Sequence, residues 1–385
     1  MISEYPRRRL LKIIAGGVLS LIGGLFGSSN KLSKLKKTIE HIKINKTSIL
    51  SKISLPETGP WPTEDPFLFC VHHNDNYPAA KDDLSPNVSL SGRHLGNDFS
   101  NKDGWSMYHG QKVPGFPRHP HRGFETLTVV SKGFIDHADS LGASARYGDG
   151  DAQWLTAGDG INHSEMFPLF SQNGNNKLDF FQIWLNLPSY NKRVEPNFEM
   201  YWKDEIPKIS SNLNGNKNVQ VEIITGDYLD FSSPIAPKNS WANNKKNDVA
   251  VWIIRLDRNG NFAIPDTKSG AKRNLYVLKG SNMEIDGQSI SGGSMVTLDS
   301  SKNTLIKNLG IKTKILMLQG VPINEPVVKY GPFVMNTRSE IEQAFYDYNR
   351  TEFGGWQWGN SDPVHGTQKE KFAKLISGKI IKPAK

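Results

Sequence analysis

The chain has 385 residues, enough for two domains or one large β body with extensions, and its 37% hydrophobic and 22% charged composition is that of a soluble globular protein. A single cysteine, Cys70, excludes any internal disulfide, so the fold must stand on its core, with or without a metal. The net charge of +9 does not mark a nucleic-acid reader. Residues 1–52 hold eleven Lys/Arg against two Glu and residues 53–385 are neutral, whereas a reader needs its basic stripe on the folded domain.

In chain order, the first feature is Arg7-Arg-Arg-Leu-Leu-Lys12, followed by an apolar, Gly-rich stretch to about Phe26. The stretch is short for a membrane span, which needs ~20 apolar residues. Paired arginines before a hydrophobic pair and a lysine resemble a twin-arginine export signal, so residues 1–28 are read as a signal peptide directing export to the periplasm. No Ala-x-Ala site follows, which leaves an uncleaved membrane anchor, or a basic tail on a cytoplasmic protein, as alternatives. Residues 29–58 read as a basic linker whose Lys and Ile/Leu pattern would allow contact with an anionic membrane surface.

From Trp61 onward, short runs of β-branched and aromatic residues alternate with turn residues at roughly ten-residue intervals. Thr126–Val130, Gln153–Leu155, Phe180–Leu185 and Val249–Arg255 form one series; Asn274–Leu278, Ser294–Leu298 and Lys314–Leu318 echo it. The pattern predicts an all-β protein of two tandem barrels, split near the Ser/Asn/Gly-rich segment 210–217. The expected bodies are 59–205 and 206–350. One helix is expected over 338–349, announced by the capping box Thr337-Arg-Ser-Glu340, and residues 351–385 form a basic tail expected to be partly disordered. Cys70 is expected to be buried in its apolar run.

Histidines carry the chemistry. Eight of the ten fall between His72 and His163, and none occurs from Ser164 to Val364, so the second barrel cannot hold a His-based metal site. His119-Pro-His121 places two imidazoles on one face of a strand, and His163-Ser-Glu165 repeats the spacing with an imidazole and a carboxylate. If the two strands face each other, four ligands meet at one point. Three neutral imidazoles and a carboxylate suit one divalent ion: Fe(II), Ni(II), Cu(II), Mn(II) or Zn(II). Octahedral geometry would leave two positions for water, dioxygen or substrate. Strand parity also admits Glu125 as the carboxylate, since 119, 121 and 125 would share a face. His72, His73 and His109 are expected in structural or loop roles, His137 as exposed or hydrogen-bonded beside Asp136 and Asp139, and Arg122 and Asp151 as braces of the barrel mouth.

Pro117-Arg-His-Pro-His-Arg-Gly-Phe-Glu-Thr126, Gly150–Met166, Asp179–Pro188 and Glu325–Thr337 together resemble the ordered signature blocks of the pirin family. The resemblance implies two tandem cupin barrels, a bicupin, with a single metal, usually iron, in the amino-terminal barrel. It selects Glu165 over Glu125 as the fourth ligand. It also implies one of two roles: a quercetin-type flavonol dioxygenase, or a non-catalytic metal-dependent transcriptional co-regulator; a cupin that has lost activity is a third. For the enzyme, the partners are a small aromatic enol and dioxygen, with Glu165 as ligand or proton acceptor. Segment 72–113 looks like an insertion relative to smaller pirins, placed to reshape access to the metal.

Overall fold

The computed structural model describes residues 47–210, 218–280 and 282–384. The expected signal or anchor at 1–28, and residues 29–46 of the expected linker, lie outside the described residues.

Four antiparallel sheets stack in layers. The outermost is six-stranded, in the order Ile380–Ile381, Phe372–Lys374, Ser144–Gly148, Phe134–Asp139, Ile161–Met166, Gly115–His121. It faces a five-stranded sheet of Asn197–Tyr201, Ala152–Thr156, Phe124–Lys132, Asn176–Asn186 and Phe67–Tyr77, and the pair encloses the first barrel around Val130, Ile135, Tyr147, Ile161 and Phe180. The five-stranded sheet packs on a seven-stranded one, which with a four-stranded sheet encloses the second barrel around Val221, Trp252, Leu275, Ile285 and Met317.

The long apolar runs follow from this layering. In Asn176–Asn186 the even positions Leu178 and Phe180 line the first barrel, while the odd positions Phe181, Ile183 and Leu185 enter a separate core shared with Val251, Ile253, Leu316 and Leu318 of the second barrel. A strand buried on both faces reads as a continuous apolar run and not as an alternation. Cys70 is fully buried in that same shared core, as expected. A polar tie crosses the layer as well: Asp179 Oδ1 accepts from Lys314 Nζ at 2.7 Å and lies 3.0 Å from His72 Nε2. Burial raises the Asp179 carboxyl, but the His72 contact and the Lys314 ammonium outweigh it and hold the group below its usual range.

Chain ends depart from the expected boundaries. Ile49–Ser54, inside the expected linker, pairs with Ser294–Leu298 as an edge strand of the second barrel. Residues after 321 return to the first barrel: the hairpin Val328–Met335 and the helix Arg338–Thr351 pack there through the Arg122–Asp347 ion pair (2.8 Å) and Val334 N donating to Arg122 O (3.0 Å). Helix entry is as read from sequence, since Thr337 and Glu340 form the reciprocal capping box. The tail is ordered by pairing and not free: Phe372–Lys374 adds to Ser144–Gly148. The insertion starts later than expected, because Phe67–Tyr77 runs in register against Asn176–Asn186 and carries His72 and His73. The segment that follows is pinned by Arg93, whose guanidinium stacks 3.3 Å from the Trp105 ring centroid and binds Asp98, and by Tyr108 Oη donating to Asp75 (2.8 Å).

Candidate metal centre

The strands Gly115–His121 and Ile161–Met166 are antiparallel neighbours in which His119 faces His163 and Phe116 faces Glu165. Directly opposed residues share a sheet face, so His119, His121 and His163 converge inside the first barrel. Their candidate donor atoms lie within 4.8 Å of one another, and the ring centroids are 4.4 Å (His119–His163), 4.8 Å (His119–His121) and 4.9 Å (His121–His163) apart.

The donor chemistry fits a metal. Both ring nitrogens of His163 and Nδ1 of His121 are buried with no hydrogen-bond partner, which is costly for polar atoms with nothing to bind. His119 Nδ1 is 2.8 Å from the Pro117 carbonyl, an arrangement that orients the ring and leaves Nε2 as its free lone pair. Burial lowers the pKa of His119 to about 4 and those of His121 and His163 far below the usual value, so all three are neutral near pH 7 and able to ligate.

Glu165 is buried on the same strand face but is not in the tight imidazole set. Gln182 Nε2 donates to one oxygen at 2.8 Å, and Thr128 Oγ1 lies 3.1 Å from the other. Burial raises its pKa, opposed by His137 and these hydrogen bonds. Thr128 and Gln182 were not singled out in the sequence. The available signal was a polar side chain at an inward even position of each strand, among Phe124, Val130, Phe180 and Trp184.

Glu125 points away. Gly123, at φ +86°, turns the chain between the His119–His121 strand and Phe124–Lys132, so parity does not carry across. A Cβ at Gly123 would sit 2.0 Å from the Val334 carbonyl, which reserves the corner for glycine. Beyond the corner, odd positions face the second barrel. There Glu125 accepts from Ser240 Oγ (2.6 Å) and Thr156 Oγ1 (2.7 Å). Burial pushes its carboxyl up to about 7 against those two bonds. An unfolded glutamate titrates near ~4.3, so the folded chain keeps a proton that the unfolded chain releases. This contribution to stability is greatest below the unfolded pKa and is lost as pH rises through about 7. Glu125→Gln is therefore expected to gain stability over wild type, by about 2–3 kcal/mol more at pH 8 than at pH 4. Urea unfolding at the two pH values checks this; a pH-independent difference would rule it out.

Other residues take definite places. His137 is fully buried, faces Glu165 across the sheet and lies 3.2 Å through Nε2 from Asp139 Oδ2, so it is hydrogen-bonded and not exposed. His73 stacks on Phe180 (4.5 Å), and His109 Nδ1 meets the Gly96 carbonyl. Arg122 braces the corner after His121 through Asp347 and the Asp159 carbonyl. Asp151 instead holds its own turn, Lys203 N and the tail's Lys371. Buried Lys192 donates to the Gly123 and Val334 carbonyls and to Asn186, clamping the C-terminal hairpin against the ligand corner.

Residues 63–185 match the family model described as Pirin, and residues 251–354 match the Pirin C-terminal cupin domain. The chain belongs to the pirin family. Among pirin relatives, a Pseudomonas aeruginosa protein whose name proposes a quercetin 2,3-dioxygenase is 32% identical over 63% of this chain and 80% of its own. Human pirin is 31% identical over 64% of this chain and 80% of its own. A solved quercetin 2,3-dioxygenase from Acinetobacter baumannii superposes with a TM-score of 0.62 at 25% identity, covering 80% of this chain and 99% of that one. The two-cupin fold is thus shared, and the histidine cluster lies in the first cupin of this pirin.

Proposed function

We propose that this pirin is a flavonol-type dioxygenase with one divalent metal, Fe(II) by preference, held by His119, His121, His163 and Glu165. The carrying observation is the neutral imidazole trio, in which both nitrogens of His163 and Nδ1 of His121 are buried without a partner; relatives named as quercetin 2,3-dioxygenases support the reaction class. When bound, the ion supplies Lewis acidity to an enolic oxygen and access to dioxygen chemistry. The chain's own residues do the rest. The barrel wall of Phe124, Trp184 and Phe116 beside the imidazoles excludes water and presents flat apolar faces to a planar substrate. Glu165, raised in pKa by burial, is a base matched to a weakly acidic enol, and Gln182 and Thr128 are placed to receive its carboxylate when it leaves the ion to take up that proton.

For residues 1–28 the proposal is export; fractionation of cells expressing the full chain checks it. Dioxygen uptake by the metal-loaded protein tests the enzyme. Uptake that depends on quercetin, is absent with the non-enolic flavone, and falls at least about a hundredfold in Glu165→Gln is expected. A fully metal-loaded protein without uptake would favour the regulatory or inactive reading.

A further inference from the structure

The hairpin Val328–Met335 lies against the imidazole cage, with Pro332 beside the His121 ring. On its first strand Lys329 is exposed, yet its ammonium does not point into bulk water. Nζ lies 4.9 Å from the Trp184 ring centroid and 5.4 Å from that of Phe69. Those two half-buried rings stack on each other at 4.6 Å, and Trp184 meets His121 edge-on at 5.4 Å. A continuous aromatic shelf therefore runs from a metal-site imidazole out to a lysine cation.

What the cation lacks is a counter-charge. Lys314, also over an aromatic face, is neutralised by Asp179 at 2.7 Å. No ion pair within 4.0 Å is found for Lys329 among the described residues, and its pKa is lowered by burial alone, with no nearby carboxylate raising it again. A cation held on apolar rings, partly stripped of water and without an acid to satisfy it, attracts an anion that can share the same shelf.

We propose that Lys329 determines the specificity of the site by recognising a planar aromatic ligand in its anionic form. The aromatic body lies along Phe69 and Trp184, and the negative oxygen is drawn toward the ammonium. This rests on the reading of the cage as a centre for aromatic enols, and it adds that the ligand is bound charged, as enolate or carboxylate. A neutral analogue of the same shape gains only the shelf.

The test uses metal-loaded protein under anaerobic conditions, so that binding is read without turnover. Naphthalene carboxylate and its neutral carboxamide are titrated into wild type, Lys329→Gln and Lys329→Arg, following tryptophan fluorescence. The carboxylate should bind Lys329→Gln about tenfold more weakly than wild type and Lys329→Arg within about threefold of it. The carboxamide should bind all three alike. The proposal is overturned if wild type does not bind the carboxylate, if Lys329→Gln binds it as well as wild type does, or if the substitution weakens both ligands equally. Quercetin-dependent dioxygen uptake, measured in parallel, separates the two ideas. Charge-selective binding without uptake keeps the role of Lys329 and ends the dioxygenase reading, and uptake with no role for the charge does the reverse.

Discussion

His163→Ala is expected to strip the protein of its metal. His163 closes a triangle of imidazoles, 4.4 Å from His119 and 4.9 Å from His121 by ring centroid, and neither of its nitrogens has a hydrogen-bond partner to lose. The ring is therefore held for ligation and not for internal bonding. Its removal leaves a dry gap in an otherwise packed barrel. Affinity for the ion should fall by more than about a hundredfold, beyond what loss of an outer-shell partner costs. Competition with a chromophoric chelator reads the change directly. Glu125→Gln is the matched control: a neighbouring buried acid on the opposite sheet face, whose replacement should leave metal content unchanged. Equal retention in His163→Ala would show that the imidazoles are structural.

Asp136→Ala should give the largest loss of stability. The carboxylate is fully buried and takes Arg146 Nε (2.7 Å) and Nη2 (2.6 Å) in a two-point pairing. It also takes the His365 backbone N–H at 2.7 Å. Arg146 in turn donates to the Gly366 and Gln368 carbonyls, so this one ion pair fastens the tail to the barrel. Truncating the acid leaves a buried guanidinium uncompensated, at a cost of about 3–5 kcal/mol. Replacing both partners by apolar residues, Asp136→Leu with Arg146→Met, should cost clearly less, because no buried charge is stranded. Urea unfolding of the single and double variants measures both, and limited proteolysis between residues 359 and 371 should accelerate in the single variant. A loss below about 1 kcal/mol in Asp136→Ala would mean the pair is hydrated and contributes little.

The histidine pairs were legible in the sequence because a strand's period of two is a local property: His119 and His121, or His163 and Glu165, share a face whatever surrounds them. Local spacing could not say which acid joins them. That choice depends on the corner at Gly123, after which the inward face shifts from odd to even positions and carries Glu125 outward to Ser240. Two-barrel architecture was readable from the spacing of turns, but the crossing of the chain ends was not. Ile49–Ser54 finds its partner some 240 residues later, and Phe372–Lys374 reaches back more than 220 residues to Ser144–Gly148. Short edge strands rich in Lys and Ser carry no mark of the sheet they will join. Of the two roles expected for His137, exposed or hydrogen-bonded, it takes the second, on Asp139. Flanking aspartates suggest a surface turn, whereas Asp136 is consumed by Arg146, and Asp139 takes the turn amides of Leu141 and Ala143 on one oxygen and His137 on the other.

The most direct measurement is anomalous diffraction from crystals of the metal-loaded protein. The expected map shows one peak per chain, bounded by His119, His121 and His163, with the Glu165 carboxylate turned from Gln182 onto the ion. A peak elsewhere, a second peak in the histidine-free barrel, or an ion bound by the three imidazoles while Glu165 stays on Thr128 and Gln182 would contradict the four-ligand centre.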